Sequence, residues 1–169
     1  MKNILPLMHK ARSSVWALRW LNFILGRGIP FNRAHGFKIV AIKEHAITTK
    51  AGYQTRNFNH IRGIHACAIA TIGEFSAGLM LMMAFVPREY RLIMSQLEVQ
   101  YHYQAKQDLL ACAMLEPQAV AELQRQLQTE DKVYRLMTTE IHDATGHHVA
   151  TVNTRWQIKP WDKVKLQLP

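Results

Sequence analysis

Glu74 is the side chain that most needs a chemical explanation. Between Ile64 and Val86 it is the only charged residue, in an otherwise apolar stretch. A carboxylate in such surroundings is costly unless it is paired or hydrogen-bonded. Burial also moves its pKa toward the range of a general base. Two uses follow, a reactive carboxylate or one half of a structural ion pair with an arginine from a strand, and the position alone does not choose between them. Just upstream stand Asn59, Gly63, His65, Ala66 and Cys67. If a helix begins there, the amides of roughly His65, Ala66 and Cys67 are its unpaired first-turn donors. Such donors can polarise a carbonyl or hold an oxyanion. Small side chains at Ala66 and Ala68 would let a ligand approach that backbone closely.

Helical geometry then constrains any shared site. His65 and Glu74 lie nine positions apart. At about 100° per residue they face opposite ways, roughly 13 Å apart along the axis. Within one chain they cannot act on one substrate, so a site using both lies between two chains, and a homodimer or a dimer of dimers is expected.

The elements that would carry these residues can be read from periodicity. The apolar run predicts a helix over residues 63–85, ending before Pro87. It is long enough to cross a bilayer, but a carboxylate near the middle of such a span costs a few kcal/mol or more. The period-two strands that follow have no place in a helical membrane protein. A helix enclosed on all sides by a sheet fits both facts, and no stable membrane insertion is expected. Leu97, Val99, Tyr101 and Tyr103 alternate with polar residues, predicting a strand with one buried and one wet face. Strands are also expected over 37–43, 46–54, 109–115, 133–142 and 148–158, the last two joined by the turn Asp143-Ala144-Thr145-Gly146. Pro117 opens a short amphipathic helix over 117–130 carrying Ala119, Leu123 and Leu127; it is expected to cover the acyl end of a pocket. A first helix carries Val15, Leu18, Leu21 and Leu25 along one side, followed by a loop at Gly26, Gly28 and Pro30. It is expected to dock on its own domain. The alternative is membrane-surface contact through Trp16, Trp20, Lys10, Arg12 and Arg19. Helix, two strands, buried helix, then four strands make an α+β domain, about six antiparallel strands curled around one helix. The expectation is one domain over 1–169, with a helical segment at 1–30 and a core at 37–158.

Composition narrows the chemistry. Two cysteines, Cys67 and Cys112, form no metal or disulfide spacing, which suits a reduced, cytoplasmic protein. The net charge of +9 attracts polyanions, including a phosphate-bearing ligand such as coenzyme A. No nucleic-acid motif is present, and no nucleotide-binding glycine loop or histidine constellation suggests a cofactor or metal.

The segment Asn59-His60-Ile61-Arg62-Gly63-Ile64-His65-Ala66-Cys67 followed by Glu74 resembles the signature of hotdog thioesterases of the phenylacetyl-CoA thioesterase type. There an Asn precedes a His-Gly-Gly turn, with an acid nine residues beyond the His. The strand Leu97-Glu98-Val99-Gln100-Tyr101 and the 143–146 turn match in order and spacing. The resemblance implies a hotdog fold, an acyl-CoA or other acyl thioester as substrate, and a site shared between two subunits. It makes Glu74 the general base or nucleophile and Asn59 the residue that orients water. The Ala66 amide becomes the carbonyl polariser, and His65 the shaper of the turn. This chain departs from the family in Ala66 and Cys67, which replace two glycines, and in the lengthened 117–130 connection. It also has Met94 where some members place a Ser, with Ser95 one register step away as a substrate-binding candidate. The rival readings are a hotdog that binds acyl-CoA or lipid without hydrolysing it, and a hydroxyacyl-thioester dehydratase using His60 and Glu74. Cys67, seven residues before Glu74 and so on its face of the helix, is expected to be a packed, inert thiol rather than a nucleophile.

Overall fold

A computed structural model describes residues 4–164. Its sheet explains why so apolar a helix needs no membrane. Six strands, β1 (Lys38–Ile42), β2 (Ala46–Ala51), β3 (Tyr90–Tyr101), β4 (Leu109–Met114), β5 (Val133–Asp143) and β6 (His148–Pro160), pair antiparallel in the order β1-β2-β4-β5-β6-β3. The expected six-stranded antiparallel sheet is therefore present, and a long helix, α4 (Ala66–Ala84), packs against it.

Alternation sets the inner face. Ile47, Thr49 and Ala51 of β2, Leu109, Ala111 and Ala113 of β4, and Val133, Met137, Thr139 and Ile141 of β5 are all buried. So are Ala150, Val152, Thr154, Trp156 and Ile158 of β6. Polar contacts fix the helix over this face. Thr139 Oγ1 donates to the carbonyl of Gly73, and Thr49 Oγ1 pairs with Ser76 Oγ at 2.7 Å. Gly73 is required by close approach, because a Cβ there would sit 2.6 Å from Val152.

The N-terminal region forms three helices, α1 (Leu5–Lys10), α2 (Val15–Gly28) and α3 (Pro30–His35). The sequence suggests one helix and a loop, but Gly26 and Gly28 continue α2 and Pro30 opens α3 at its favoured first position. α2 docks through Ala17, Leu21 and Leu25. Asn22 anchors it by accepting from Ile39 N and donating to Ile39 O on edge strand β1. Val15, expected on the docked side, is instead exposed.

Two other expectations change. β3 begins at Tyr90 and lies at the sheet edge, where Leu97 is 41% and Tyr101 50% exposed. Its apolar face is therefore only partly covered in a single chain, although alternation predicts burial. α4 is not enclosed all round: Glu74, Gly78, Met82 and Met83 are only half-buried. The helix α5 (Pro117–Thr129) forms as expected and buries Leu123 and Leu127.

Candidate active site

Glu74 lies on α4 at the wall of a cavity of about 440 Å³. Thr71, Phe75, Gly78 and Met82 of the same helix line it, facing Leu92, Met94 and Leu97 of β3 and Trp156 of β6. Ile29, Phe31 and Asn32 from the α2–α3 junction complete the wall. The absent side chain at Gly78 makes room for Trp156, which would come 3.1 Å from a Cβ there, and Glu74 Oε1 lies 3.7 Å from the same point. Trp156 is held in place by donating Nε1–H to Thr154 Oγ1 at 2.9 Å.

Among the described residues no cation pairs with Glu74 and no donor bonds to its carboxylate. Burial alone therefore acts on it and raises its pKa above the ordinary carboxylate value. The ion-pair alternative therefore finds no partner among the described residues. What remains is a carboxylate that can hold or accept a proton beside an apolar chamber.

The second group of residues lies at the start of α4. Asn59 Oδ1 accepts from the amides of Ile61 and Gly63, closing a tight turn through Arg62, whose φ is +61°. Gly63 sits where a Cβ would approach Ala105 O to 3.3 Å. His65 caps the helix, its Nδ1 accepting from Cys67 N, while its own amide donates to Asn57 O at 2.7 Å. Of the three amides expected to be free, those of His65 and Cys67 are thus engaged. Among the described residues Ala66 N–H alone of the three has no acceptor. Ala66 is exposed, so that donor is open to a ligand.

The structure brings Glu74 and Met94 together but keeps Asn59, Gly63, His65, Ala66 and Cys67 outside the cavity. Ser95 also stays outside: the β3 register shifts between Met94 and Gln96, and Ser95 Oγ donates to Arg155 O. A methionine side chain, Met94, and no hydroxyl from Ser95, stands on the cavity wall. Cys67 is exposed rather than packed. α5 borders a different cavity, of about 310 Å³, with Met80, Met83 and Leu115, so it does not cover the Glu74 chamber. The described residues contain no grouping of side chains able to hold a metal.

Two residues make contacts at this turn that no local pattern announces. Asn57 is buried and ties the turn to α3, donating to His35 O and Gly52 O and meeting His35 Nδ1 at 3.1 Å. Tyr101 donates its hydroxyl to Ala66 O at 3.1 Å, linking edge strand β3 to the open amide turn. Burial and the neighbouring Cys67 raise the Tyr101 pKa, so it stays a neutral donor. Strand alternation placed Tyr101 on the inner face, but nothing local named its partner.

Residues 19–158 match the sequence family described as Domain of unknown function (DUF4442). No curated protein matches the chain in sequence. Solved structures resemble it in fold. A Pseudomonas aeruginosa protein of unknown function, called a probable thioesterase, superposes with a TM-score of 0.77 at 20% identity, over 84% of this chain and 95% of that one. A mutant thioesterase from the same organism gives 0.68 at 11% identity, over 85% and 94%. A thioesterase from Haemophilus influenzae gives 0.70 at 10% identity, over 89% and 94%. At these identities the likeness is one of fold, and that fold is the hotdog.

Proposed function

Since the chain belongs to the family described as Domain of unknown function (DUF4442), we propose on physical grounds that it hydrolyses an acyl thioester, such as an acyl-CoA, at a site completed by a second copy. The observation that carries this reading is the unpaired, burial-perturbed Glu74 in an apolar chamber. Fold neighbours described as thioesterases point the same way.

The acyl chain would lie against Leu92, Met94, Leu97 and Trp156, all apolar or aromatic and all on the cavity wall. Water is a poor nucleophile, so a base within hydrogen-bond reach must take its proton as its oxygen attacks the thioester carbon. Glu74 is that base. The oxyanion formed would be held by the free Ala66 amide of the second copy, the C–S bond then breaking with the thiolate taking the proton from Glu74. Asn59 Oδ1 is engaged by two amides, which leaves the Nδ2 of the second copy's Asn59 to orient the water. His65 acts through the turn, by capping α4. The pairing of two copies is motivated by the exposed inner face of β3 and by the separation of the Ala66 amide from the Glu74 chamber within one chain.

The test is thiol release from a panel of acyl-CoA esters by purified native protein and by Glu74→Gln. Hydrolysis by the native protein, falling by about two orders of magnitude or more in the variant, is expected. Saturable acyl-CoA binding with no thiol release from any ester would instead establish a binding protein. Undiminished hydrolysis by a folded Glu74→Gln protein would remove Glu74 from the mechanism.

A further inference from the structure

The positive charge of this chain is concentrated at one end of the sequence. Residues 1–43 contain Lys2, Lys10, Arg12, Arg19, Arg27, Arg33, Lys38 and Lys43 and no acidic residue, the first being Glu44. The other residues carry 13 basic and 12 acidic side chains, so nearly all of the net +9 belongs to this segment. A uniformly basic protein, charged only for solubility, would not show this asymmetry.

The same segment exposes large aromatics. On α2, Trp16, Trp20 and Phe23 recur at helical spacing on the face opposite Ala17, Leu21 and Leu25. They are 75%, 56% and 52% exposed. Trp20 stacks on Phe23 with centroids 5.2 Å apart. Arg19 lies over Trp16 at 5.2 Å, and Arg27 over Phe23 at 5.7 Å. Beside the ridge, Arg19, Arg33 and Lys38 border a cleft of about 370 Å³ with Phe23 and Phe37 and no acidic side chain. Arg12 is ion-paired, to Glu44, but among the described residues Arg19, Arg27, Arg33 and Lys38 have no carboxylate partner.

From the exposed aromatic ridge, the unpaired cations and the cleft between them, we propose that α2 and the α3–β1 corner dock the protein on an anionic phospholipid surface. Tryptophan and phenylalanine rings settle at the boundary between headgroups and acyl chains, while the flexible cationic side chains remain with the phosphates. The Arg19–Arg33–Lys38 cleft receives a lipid phosphate. Nucleic acid suits the surface less well, because the aromatics stand on a convex helix rather than in a groove that tracks a strand. Phe31, exposed and next to this surface in sequence, also lines the Glu74 cavity. Docking does not depend on hydrolysis, and its test reads lipid association alone.

The experiment is co-sedimentation of the full-length protein with vesicles of phosphatidylcholine alone or of equimolar phosphatidylcholine and phosphatidylglycerol, over a salt series. Binding to the anionic vesicles, weak binding to the neutral ones and loss with salt are expected. Arg19→Gln/Arg33→Gln/Lys38→Gln should lower the partition coefficient about five-fold per charge, roughly a hundred-fold together. Trp16→Ser/Trp20→Ser should lower it about ten-fold or more, with an unchanged thermal melt because both rings are exposed. Failure of the native protein to bind anionic vesicles, or undiminished binding by both variants, would overturn the proposal. A fall in the native oligomer's mass on Trp16→Ser/Trp20→Ser would assign the ridge to a second copy of the chain. Stronger retention by single-stranded RNA than by anionic vesicles at the same salt would assign it to nucleic acid. Either result would refute lipid docking.

Discussion

Glu74 and Asp143 are both carboxylates held out of bulk water, and their surroundings are opposite. Asp143, at the end of β5, accepts from Thr145 N, Thr145 Oγ1 and His147 N at Oδ1, and meets His147 Nδ1 at Oδ2. Burial works against its charge, but hydrogen bonds from Thr145 and His147 outweigh it and hold the carboxyl at about 2. Among the described residues Glu74 has no such donors, and burial alone raises its pKa. A carboxylate whose lone pairs are filled by its own turn is structural, fixing the hairpin in which Gly146 takes φ +90°. One left without partners beside a chamber keeps its proton chemistry available to a ligand.

The largest effect is expected of Glu74→Gln, which should lower thioester hydrolysis by about two orders of magnitude or more while leaving Tm unchanged or higher. It removes a half-buried charge that burial disfavours and breaks no ion pair among the described residues. A lower Tm, read by calorimetry on the protein assayed for activity, would mean that Glu74 does structural work after all. Next comes Asp143→Ala, which strips the 143–147 turn of its acceptor. Tm should fall by several degrees, with turnover per folded molecule preserved.

The pH dependence of stability should show the two groups with opposite signs. The folded pKa of Asp143 is depressed from 3.8 to about 2, so its contribution is present above 3.8 and is lost as pH falls through about 2. The folded pKa of Glu74 is raised above 4.5, so the folded state prefers its proton and stability declines as pH climbs past 4.5. Chemical denaturation across this range should show Asp143→Asn flattening the acid limb and Glu74→Gln flattening the decline above it. The smallest change is expected of Met94→Ser, which puts a hydroxyl on the cavity wall. As a donor it should lower the Glu74 pKa and shift the acid limb of the pH–rate profile downward, with a change in turnover of less than about ten-fold. An unmoved profile would place residue 94 beyond reach of the carboxylate.

Much of the architecture was legible because burial leaves periodic marks. The unbroken apolar stretch of α4 and the alternation of β5 and β6 each state which side faces a core, and the 143–146 turn states where two strands join. The isolated charge at position 74 was equally plain. The helical spacing that separates His65 from Glu74 matches a structure in which Glu74 borders the chamber and His65 does not. Residues 26–30 misled, because Gly and Pro punctuate loops and also continue or open helices, and only the packing of α2 and α3 distinguished the cases.

Legible along the chain were the order of the elements from β1 to β6, the lone carboxylate in α4 and the lopsided charge of the first 43 residues. All of these are properties of neighbours along the chain. Tertiary structure decided what covers what. β3 became an edge whose apolar face stays open, α5 moved to another cavity, and a bulge put Met94 rather than Ser95 beside Glu74. It also decided that Asn57 O and His65 Nδ1 take two of the first-turn donors and leave Ala66 N–H. Periodicity records that a side of an element is apolar, but which atoms meet it depends on residues distant in sequence, and coverage and hydrogen-bond partnership exist only once those are brought together.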